Sequence, residues 1–256
     1  MTDKPNIDAK KWYETSYEDN GLHAQRHYPN EELLRFMGRN YFGMSKDERS
    51  KIKILETGCG SCSNLWMLAR EGYSAYGIDF SERSIELGKL MLKKWGVQAI
   101  LSVEDMTSLG FKNSFFDVIV DVFSSNCLDR HGFGLFLAEA NRVLKCGGKF
   151  FLYTPSDKSE AFTKYHPAIK IDDFTLNGIY RNDSPYYGNS YPFRFESIET
   201  LKSALLEYGF ECTSFEYITR TYKNGQEIFQ HISLEAMKRY DLPEVMDQRA
   251  TQAATE

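Results

Sequence analysis

The sequence lacks any apolar run close to the roughly 18 residues that a membrane-spanning helix needs, and its first 20 residues contain no apolar stretch typical of a signal peptide. It also lacks an excess of basic residues. With 31 Lys and Arg against 36 Asp and Glu, the net charge is -5, which disfavours binding to nucleic acid through phosphate neutralisation. These absences predict a cytoplasmic monomer or homodimer that acts on a small molecule, with no membrane or nucleic-acid partner.

Cysteines are few and do not form a disulfide pattern, because five is an odd number and they are scattered along the chain. Cys59 and Cys62 form a C-x-x-C pair, which would suit a redox dithiol or half of a zinc site. No second C-x-x-C pair supplies the remaining ligands. We therefore predict no metal and no redox role here.

From Lys51 onwards the chain alternates strand-like and helix-like segments. The predicted strands are residues 51–56, 73–79, 97–105, 114–123 and 146–155, followed by a closing hairpin of 210–222 and 226–237 that turns at 223–225. Strands that alternate with helices need right-handed crossovers. The pattern predicts a doubly wound α/β fold with a mostly parallel seven-stranded sheet and helices on both faces.

The segment "LETGCGSCSN" lies between the first strand and the first helix. Ligands of a doubly wound sheet bind at the carboxyl ends of the strands, so Gly58 and Gly60 are placed to let the backbone approach one closely. Asp79, at the end of the second strand, is placed to accept hydrogen bonds from two ribose hydroxyls. The alternative is that Asp79 only caps the helix that follows.

Five stretches together resemble class I S-adenosylmethionine (SAM)-dependent methyltransferases over roughly residues 50–155: "ILETGCGSCSN", "GIDFS", "VEDM", "FFDVIVD" and "RVLKCGGKFFL". The resemblance implies SAM as cofactor. It places Gly58 and Gly60 against the methionine and adenosine parts, Asp79 on the ribose, Asp105 and Met106 at the adenine, and Asp121 beside the sulfonium. The cofactor-binding residues expected are Tyr17, Arg26, Tyr28, Glu56, Gly58, Cys59, Gly60, Asp79, Phe80, Asp105, Met106 and Asp121.

One position departs from the resemblance. The loop of that family usually reads E-x-G-x-G-x-G, and Cys62 stands at the third glycine. A cysteine is disfavoured where the backbone needs positive φ, so a reshaped pocket at the methionine end is expected.

The resemblance also suggests the domain organisation. Residues 1–50 are expected to cover the cofactor and substrate, although their aromatic residues would equally serve to pack this segment onto the sheet. Residues 51–242 form the methyltransferase domain, and 243–256 a disordered tail. Within the domain, residues 156–196 contain nine aromatics without a clear period and are interpreted as a lid.

Methyl transfer depends mainly on positioning, and a general base is needed only when the acceptor must lose a proton. The candidates are His131, Asp121 and His166, with Tyr165 and Tyr187 as further ones from the lid.

For the acceptor, the lid supplies Tyr165, Arg181, Tyr187 and Arg194, which favour a polar or anionic small molecule. O-methyl transfer is favoured, in surface-glycan or secondary metabolism. The alternatives are N-methylation of a small amine or sugar, a non-catalytic SAM-binding protein and, on the same fold, an NAD-dependent oxidoreductase.

Overall fold

The structure is a computed structural model that describes residues 4–240. Its strands are β1 (Lys53–Thr57), β2 (Ser74–Asp79), β3 (Ile100–Val103), β4 (Phe116–Val122), β5 (Leu144–Pro155), β6 (Thr175–Leu176), β7 (Phe193–Arg194), β8 (Phe210–Tyr222) and β9 (Glu227–Lys238). Its α-helices are α1 (Lys4–Asn20), α2 (Glu31–Asn40), α3 (Lys46–Arg49), α4 (Leu65–Arg70), α5 (Glu82–Trp95), α6 (Arg130–Val143), α7 (Glu160–Thr163) and α8 (Ile198–Glu207).

Seven strands form one sheet in the order β3-β2-β1-β4-β5-β9-β8. The first five are parallel, whereas β9 runs antiparallel to both β5 and β8. The predicted doubly wound sheet and its closing hairpin are therefore confirmed. The strand order reverses between β1 and β4, so the carboxyl ends of these two strands open the crevice where ligands bind in such sheets.

Alternate side chains of the central strands enter two separate cores. Leu55, Ile119 and Phe150 pack beneath α6 and α8 on one face. On the other face, Ile54 and Val118 pack beneath α2, α4 and α5. Burial on both sides explains why β4 is almost continuously apolar, and it fixes the position of the strand ends that carry the site.

Capping residues determine where several of the helices begin and end. Ser81 accepts a hydrogen bond from Ser84 N and Gly96 ends α5 in the left-handed conformation, while Ser197 caps α8 by accepting from Thr200 N. In the N-terminal segment, the Asn30 side chain accepts from the backbone N–H groups of Glu32 and Leu33 and starts α2.

Residues 156–196 pack into a third aromatic cluster together with Phe229 of β9. They also contact α1, where Trp12 Nε1 donates to Gly188 O at 3.2 Å and the Tyr13 and Tyr191 hydroxyls lie 2.9 Å apart. The segment expected as a disordered tail, 243–256, lies outside the described residues. Between residues 4 and 240, no helix is long and apolar enough to cross a membrane.

Candidate active site

A cavity of about 450 Å³ opens at the carboxyl ends of β1 and β4. One side, which we call the loop side, is lined by Tyr13, Tyr17, Gln25, Arg26, Asn30, Glu56, Gly58, Cys59, Gly60, Ser61, Ser63, Asn64, Asp79, Phe80 and Met106. The other, the aromatic side, includes Phe123, Tyr153, Tyr186, Arg220, Tyr222 and His231.

The loop after β1 turns tightly because Gly58 and Gly60 adopt positive φ of 63° and 51°. Gly58 also lies against the chain that follows β4, so that a Cβ added to it would stand 2.3 Å from Ser124 Cβ. Only glycine permits both this conformation and this approach. The loop backbone is thereby held at the floor of the cavity.

Cys62 adopts a φ of 64°, the conformation that disfavours a side chain, and is fully buried. Its sulfur fits because α5 carries a glycine opposite, where a Cβ on Gly88 would lie 2.6 Å from Cys62 Sγ. Cys62 does not line the cavity, so the expected reshaping of the pocket by its side chain is not seen. Cys59 does line the cavity, and contact with Cys62 together with burial raises the pKa of its thiol well above the usual value.

Asp79 connects the loop to α5. Its Oδ2 accepts a hydrogen bond from Gly60 N and its Oδ1 accepts one from Ser81 N, both at 2.9 Å. The carboxylate is 5% exposed and lines the cavity, and burial raises its pKa. Each oxygen has a second lone pair, so Asp79 both organises the loop and presents an acceptor to a ligand.

Glu56 is the most deeply buried ionisable group on the loop side, at 2% exposure. Its Oε1 accepts from Asn64 Nδ2 at 2.6 Å, whereas Oε2 is buried without a partner among the described residues. Burial raises its pKa to about 8. Arg26 lies nearby and donates to Ser63 Oγ at 3.3 Å and Asn64 Oδ1 at 3.2 Å. One unpartnered carboxylate oxygen and one guanidinium thus face the same end of the cavity.

A smaller recess next to the main cavity is lined by Asp105, Met106 and Phe80 as well as Gly58 and Asp79. Asp105 Oδ1 accepts hydrogen bonds from Thr107 N and Oγ1 at 2.8 Å, which fix the turn after β3. Asp105 and Met106, the two residues expected near the adenine, therefore lie together with Phe80.

Of the three N-terminal residues expected at the cofactor, two line the cavity. Tyr17 is 6% exposed, and its hydroxyl would lie 3.4 Å from a Cβ on Gly60; Arg26 is described above. The prediction for Tyr28 is corrected, because its side chain is 65% exposed, packs edge-on against Trp95 and does not line the cavity.

The aromatic side is built by residues of β5, β8 and β9, by Phe123 just after β4 and by one lid residue. The rings of Tyr153 and His231 stack 4.7 Å apart, and so do those of Phe123 and Tyr186. His231 Nε2 lies 3.3 Å from Tyr186 Oη. Burial, followed by the charge of Arg220, lowers the pKa of His231 to about 4 and keeps its imidazole neutral.

The catalytic residues expected from the sequence do not meet in the cavity. His131 and His166 are exposed and line no part of it. Asp121 is fully buried, and its carboxylate accepts hydrogen bonds from Ser124 and Ser125, so it supports the turn after β4 and does not line the cavity. All three assignments are corrected by their positions.

The lid residues expected to bind the acceptor are also elsewhere. Tyr187 is 59% exposed, and Tyr165 stacks on His166 outside the cavity. Arg181 Nε donates to Glu227 Oε2 at 2.8 Å. Arg194 is fully buried, and it donates to Glu196 Oε1 and to the carbonyls of Ser125 and Leu128, each at 2.7 Å. Both arginines serve packing, and the lid contributes Tyr186 to the cavity in their place.

Sequence reasoning missed Tyr186, Arg220, Tyr222 and His231. The last three lie on the hairpin strands β8 and β9, and their local sequence resembles that of any other strand residue. The signal available was the position of His231 two residues after Phe229, which places a polar ring on the same face of the strand as an apolar one.

Comparison with known proteins agrees with this geometry. Residues 54–148 match the family model described as "Methyltransferase domain". A curated relative, the ubiquinone biosynthesis O-methyltransferase of Pelagibacter ubique (strain HTCC1062), is 29% identical over 151 residues, which cover 57% of this chain and 60% of the relative. The chain thus spans about 60% of the length of the curated relatives it matches.

Solved structures share the fold. A SAM-dependent methyltransferase of Methanosarcina mazei superposes with a TM-score of 0.60 at 24% identity, covering 74% of this chain and 93% of that one. The 1,6-didemethyltoxoflavin-N1-methyltransferase of Burkholderia thailandensis, solved with bound S-adenosylhomocysteine, gives a TM-score of 0.68 at 13% identity and covers 94% and 92%.

The sheet order and the glycine loop give the chain the Rossmann-like fold that these methyltransferase structures share. Within that fold, residues 54–148 are the part that is similar to the methyltransferase domain.

Proposed function

We propose that this protein transfers the methyl group of SAM to a hydroxyl oxygen of a small polar or anionic molecule. The observation that carries the proposal is the single cavity in which the loop side and the aromatic side face each other. The similarity to the ubiquinone biosynthesis O-methyltransferase supports oxygen as the acceptor atom.

The loop side fits the charge pattern of SAM. The amino acid part of SAM carries an ammonium and a carboxylate, and the orphaned Glu56 Oε2 and the guanidinium of Arg26 suit one each. Asp79 has free lone pairs for the ribose hydroxyls, and the recess formed by Phe80, Asp105 and Met106 would hold the adenine.

When bound, SAM supplies a methyl group on a positively charged sulfur; its transfer breaks the carbon–sulfur bond, forms a carbon–oxygen bond and releases the hydroxyl proton. The chain's own part is to align the acceptor and to take that proton. His231 is suited to this because its imidazole is neutral and buried. A weakly basic imidazole suffices, since the proton becomes strongly acidic as the new bond forms. Tyr186 orients the ring through its 3.3 Å contact.

Calorimetry with S-adenosylhomocysteine and with NAD tests the cofactor assignment: binding of the first in the micromolar range and no detectable binding of the second are expected. NAD binding without a response to S-adenosylhomocysteine would refute it. The acceptor is to be sought by mass spectrometry of ligands that co-purify. With that acceptor, His231→Gln should lower kcat and leave S-adenosylhomocysteine affinity unchanged, whereas unchanged turnover would remove His231 from the mechanism.

A further inference from the structure

Arg220 is unlike the other arginines near the site. It lies on β8, two residues from Tyr222 and therefore on the same face of the strand, and it lines the cavity. Arg26, Arg181 and Arg194 are all held by hydrogen bonds, whereas Arg220 has no hydrogen bond or ion pair within residues 4–240. An exposed, unpaired guanidinium thus stands at the edge of the aromatic side.

No acidic residue that the structure describes lines the aromatic side of the cavity; Glu32, where burial raises the pKa and the charge of Arg220 opposes that rise, lies outside the lining. Among the described residues lining the cavity, the carboxylates are Glu56 and Asp79, and both belong to the loop side. The charge of Arg220 acts on the aromatic side, because it lowers the pKa of His231 and opposes the rise in the pKa of Tyr153 caused by burial. On the aromatic side, an anionic group of a ligand would find its opposite charge at this edge, whereas Arg26 lies on the loop side.

The walls beside Arg220 are flat. The Tyr153 and His231 rings are within 13° of parallel, and the Phe123 and Tyr186 rings are within 23°. Two stacked pairs of rings present planar apolar surfaces, which suit a conjugated ring better than a puckered one. The cavity must hold SAM as well, so the space left suits a small molecule.

We infer that the methyl acceptor is a small planar conjugated molecule with an anionic oxygen group, which Arg220 binds while the rings of the aromatic side enclose its conjugated part. This inference rests on the proposed function, since it names the acceptor class of the same site. Arg220 is then a residue that determines specificity. The guanidinium fork matches a carboxylate or phosphate through two parallel hydrogen bonds.

Three probes separate charge from planarity: 3-hydroxybenzoate is planar and anionic, 3-hydroxybenzamide is planar and neutral, and 3-hydroxycyclohexanecarboxylate is anionic but puckered. Each is titrated by calorimetry into the protein saturated with S-adenosylhomocysteine. We expect 3-hydroxybenzoate to bind at least about tenfold more tightly than either of the others. Arg220→Gln should remove that preference over the amide and leave S-adenosylhomocysteine affinity within about twofold. The matched control is Arg239→Gln, which makes the same change of charge on an exposed residue just after β9 and should alter neither affinity.

The outcomes separate a failure of this inference from a failure of the proposed function on which it rests. If S-adenosylhomocysteine itself does not bind, the proposed function fails. If it binds but the amide or the cyclohexane binds as tightly as 3-hydroxybenzoate, the acceptor class is wrong while the function stands. The same conclusion follows if none of the probes binds at millimolar concentration, or if Arg220→Gln keeps the full preference for the anion.

Discussion

The loop side of the cavity is shaped mainly by backbone turns, and several of its polar groups are paired with one another, whereas Glu56 Oε2 is buried without a partner among the described residues. The aromatic side is shaped by side chains from β5, β8 and β9, from the turn after β4 and from the lid, and the one cation that the structure describes there is unpaired. A ligand on the loop side therefore meets a preformed hydrogen-bonded frame. On the aromatic side, a ligand meets aromatic rings and the positive charge of Arg220. In the function proposed above, cofactor and acceptor are thus recognised by different kinds of residue.

The largest effect we expect comes from a lid residue that contributes to neither side directly. Arg194→Ala would leave the buried carboxylate of Glu196 without its charge partner, and the free energy of unfolding should fall by about 3–5 kcal/mol in urea titrations. Arg35→Ala, which breaks an exposed pair with Glu31, is the control and should have little effect. If the Arg194→Ala protein were stable and had lost only acceptor binding, Arg194 would have to be assigned to the aromatic side. The division of residues between the two sides of the cavity would then be wrong.

The backbone character of the loop side is tested at Gly58. Gly58→Ala combines a strained positive φ with a clash against Ser124, so we expect a loss of about 2–4 kcal/mol in unfolding free energy and of S-adenosylhomocysteine binding. Gly96→Ala is a matched control, because Gly96 has nearly the same φ, 65°, but nothing within 4 Å of an added Cβ. Equal losses in the two variants would show that close approach to Ser124 is unimportant.

Asp79→Ala removes the acceptor expected at the ribose and leaves Gly60 N and Ser81 N unpaired. Hydrogen bonds to a charged group contribute about 1.5–3 kcal/mol, so S-adenosylhomocysteine affinity should fall at least about tenfold in calorimetry. Asp129→Ala also removes a capping aspartate, that of α6, but away from the cavity, and should leave this affinity unchanged. An unchanged affinity in Asp79→Ala, with the fold intact by circular dichroism, would mean that Asp79 only organises the loop.

The two sides should respond to pH with opposite signs. Burial raises the pKa of Glu56 from 4.5 to about 8, so the folded chain holds more protons than the unfolded chain in that window and loses stability as the pH rises through it. Glu56→Gln has no titrating group at this position. Relative to this variant, the unfolding free energy of the wild type should therefore fall by about 1–2 kcal/mol between about pH 5 and 7. Denaturant titrations at the two pH values measure this fall, and a constant difference between the proteins would contradict it.

On the aromatic side, His231 has a pKa lowered from 6.5 to about 4. The unfolded chain binds the extra proton in that window, so stability is lost as the pH falls from 6.5 towards 4. His231→Gln should flatten this part of the stability profile and leave the part that depends on Glu56 unchanged.

The smallest effect is expected at Cys62. Cys62→Gly relieves a strained φ but removes a buried side chain, and these changes oppose each other. Because Cys62 does not line the cavity, S-adenosylhomocysteine affinity should stay within a few-fold in calorimetry. A change larger than tenfold would show that the methionine end depends on this side chain.

The loop side could be predicted from the sequence because its parts are local: a strand, a glycine turn and a carboxylate at the next strand end follow one another along the chain. The same periodicity predicted the sheet and its closing hairpin. The aromatic side could not be predicted in this way. The hairpin of β8 and β9 was predicted, but Arg220 and His231 reach the cavity only because β9 also pairs antiparallel with β5, which no nearby sequence pattern indicates. The arginines of the lid were misplaced because composition does not show that Arg194 and Arg181 already have acidic partners at Glu196 and Glu227.

The fit of Cys62 against Gly88 restricts how this loop can change by single mutations. Gly88→Ala made first would bring its Cβ to 2.6 Å from the Cys62 sulfur, a distance that real structures do not tolerate. Once Cys62 has become glycine, the sulfur is gone and the nearest remaining contact is 3.3 Å, to Leu101 Cδ1. The two substitutions that would bring the loop back to three glycines and give α5 a better helix former are thus accessible in one order only, with the loop changing before the helix.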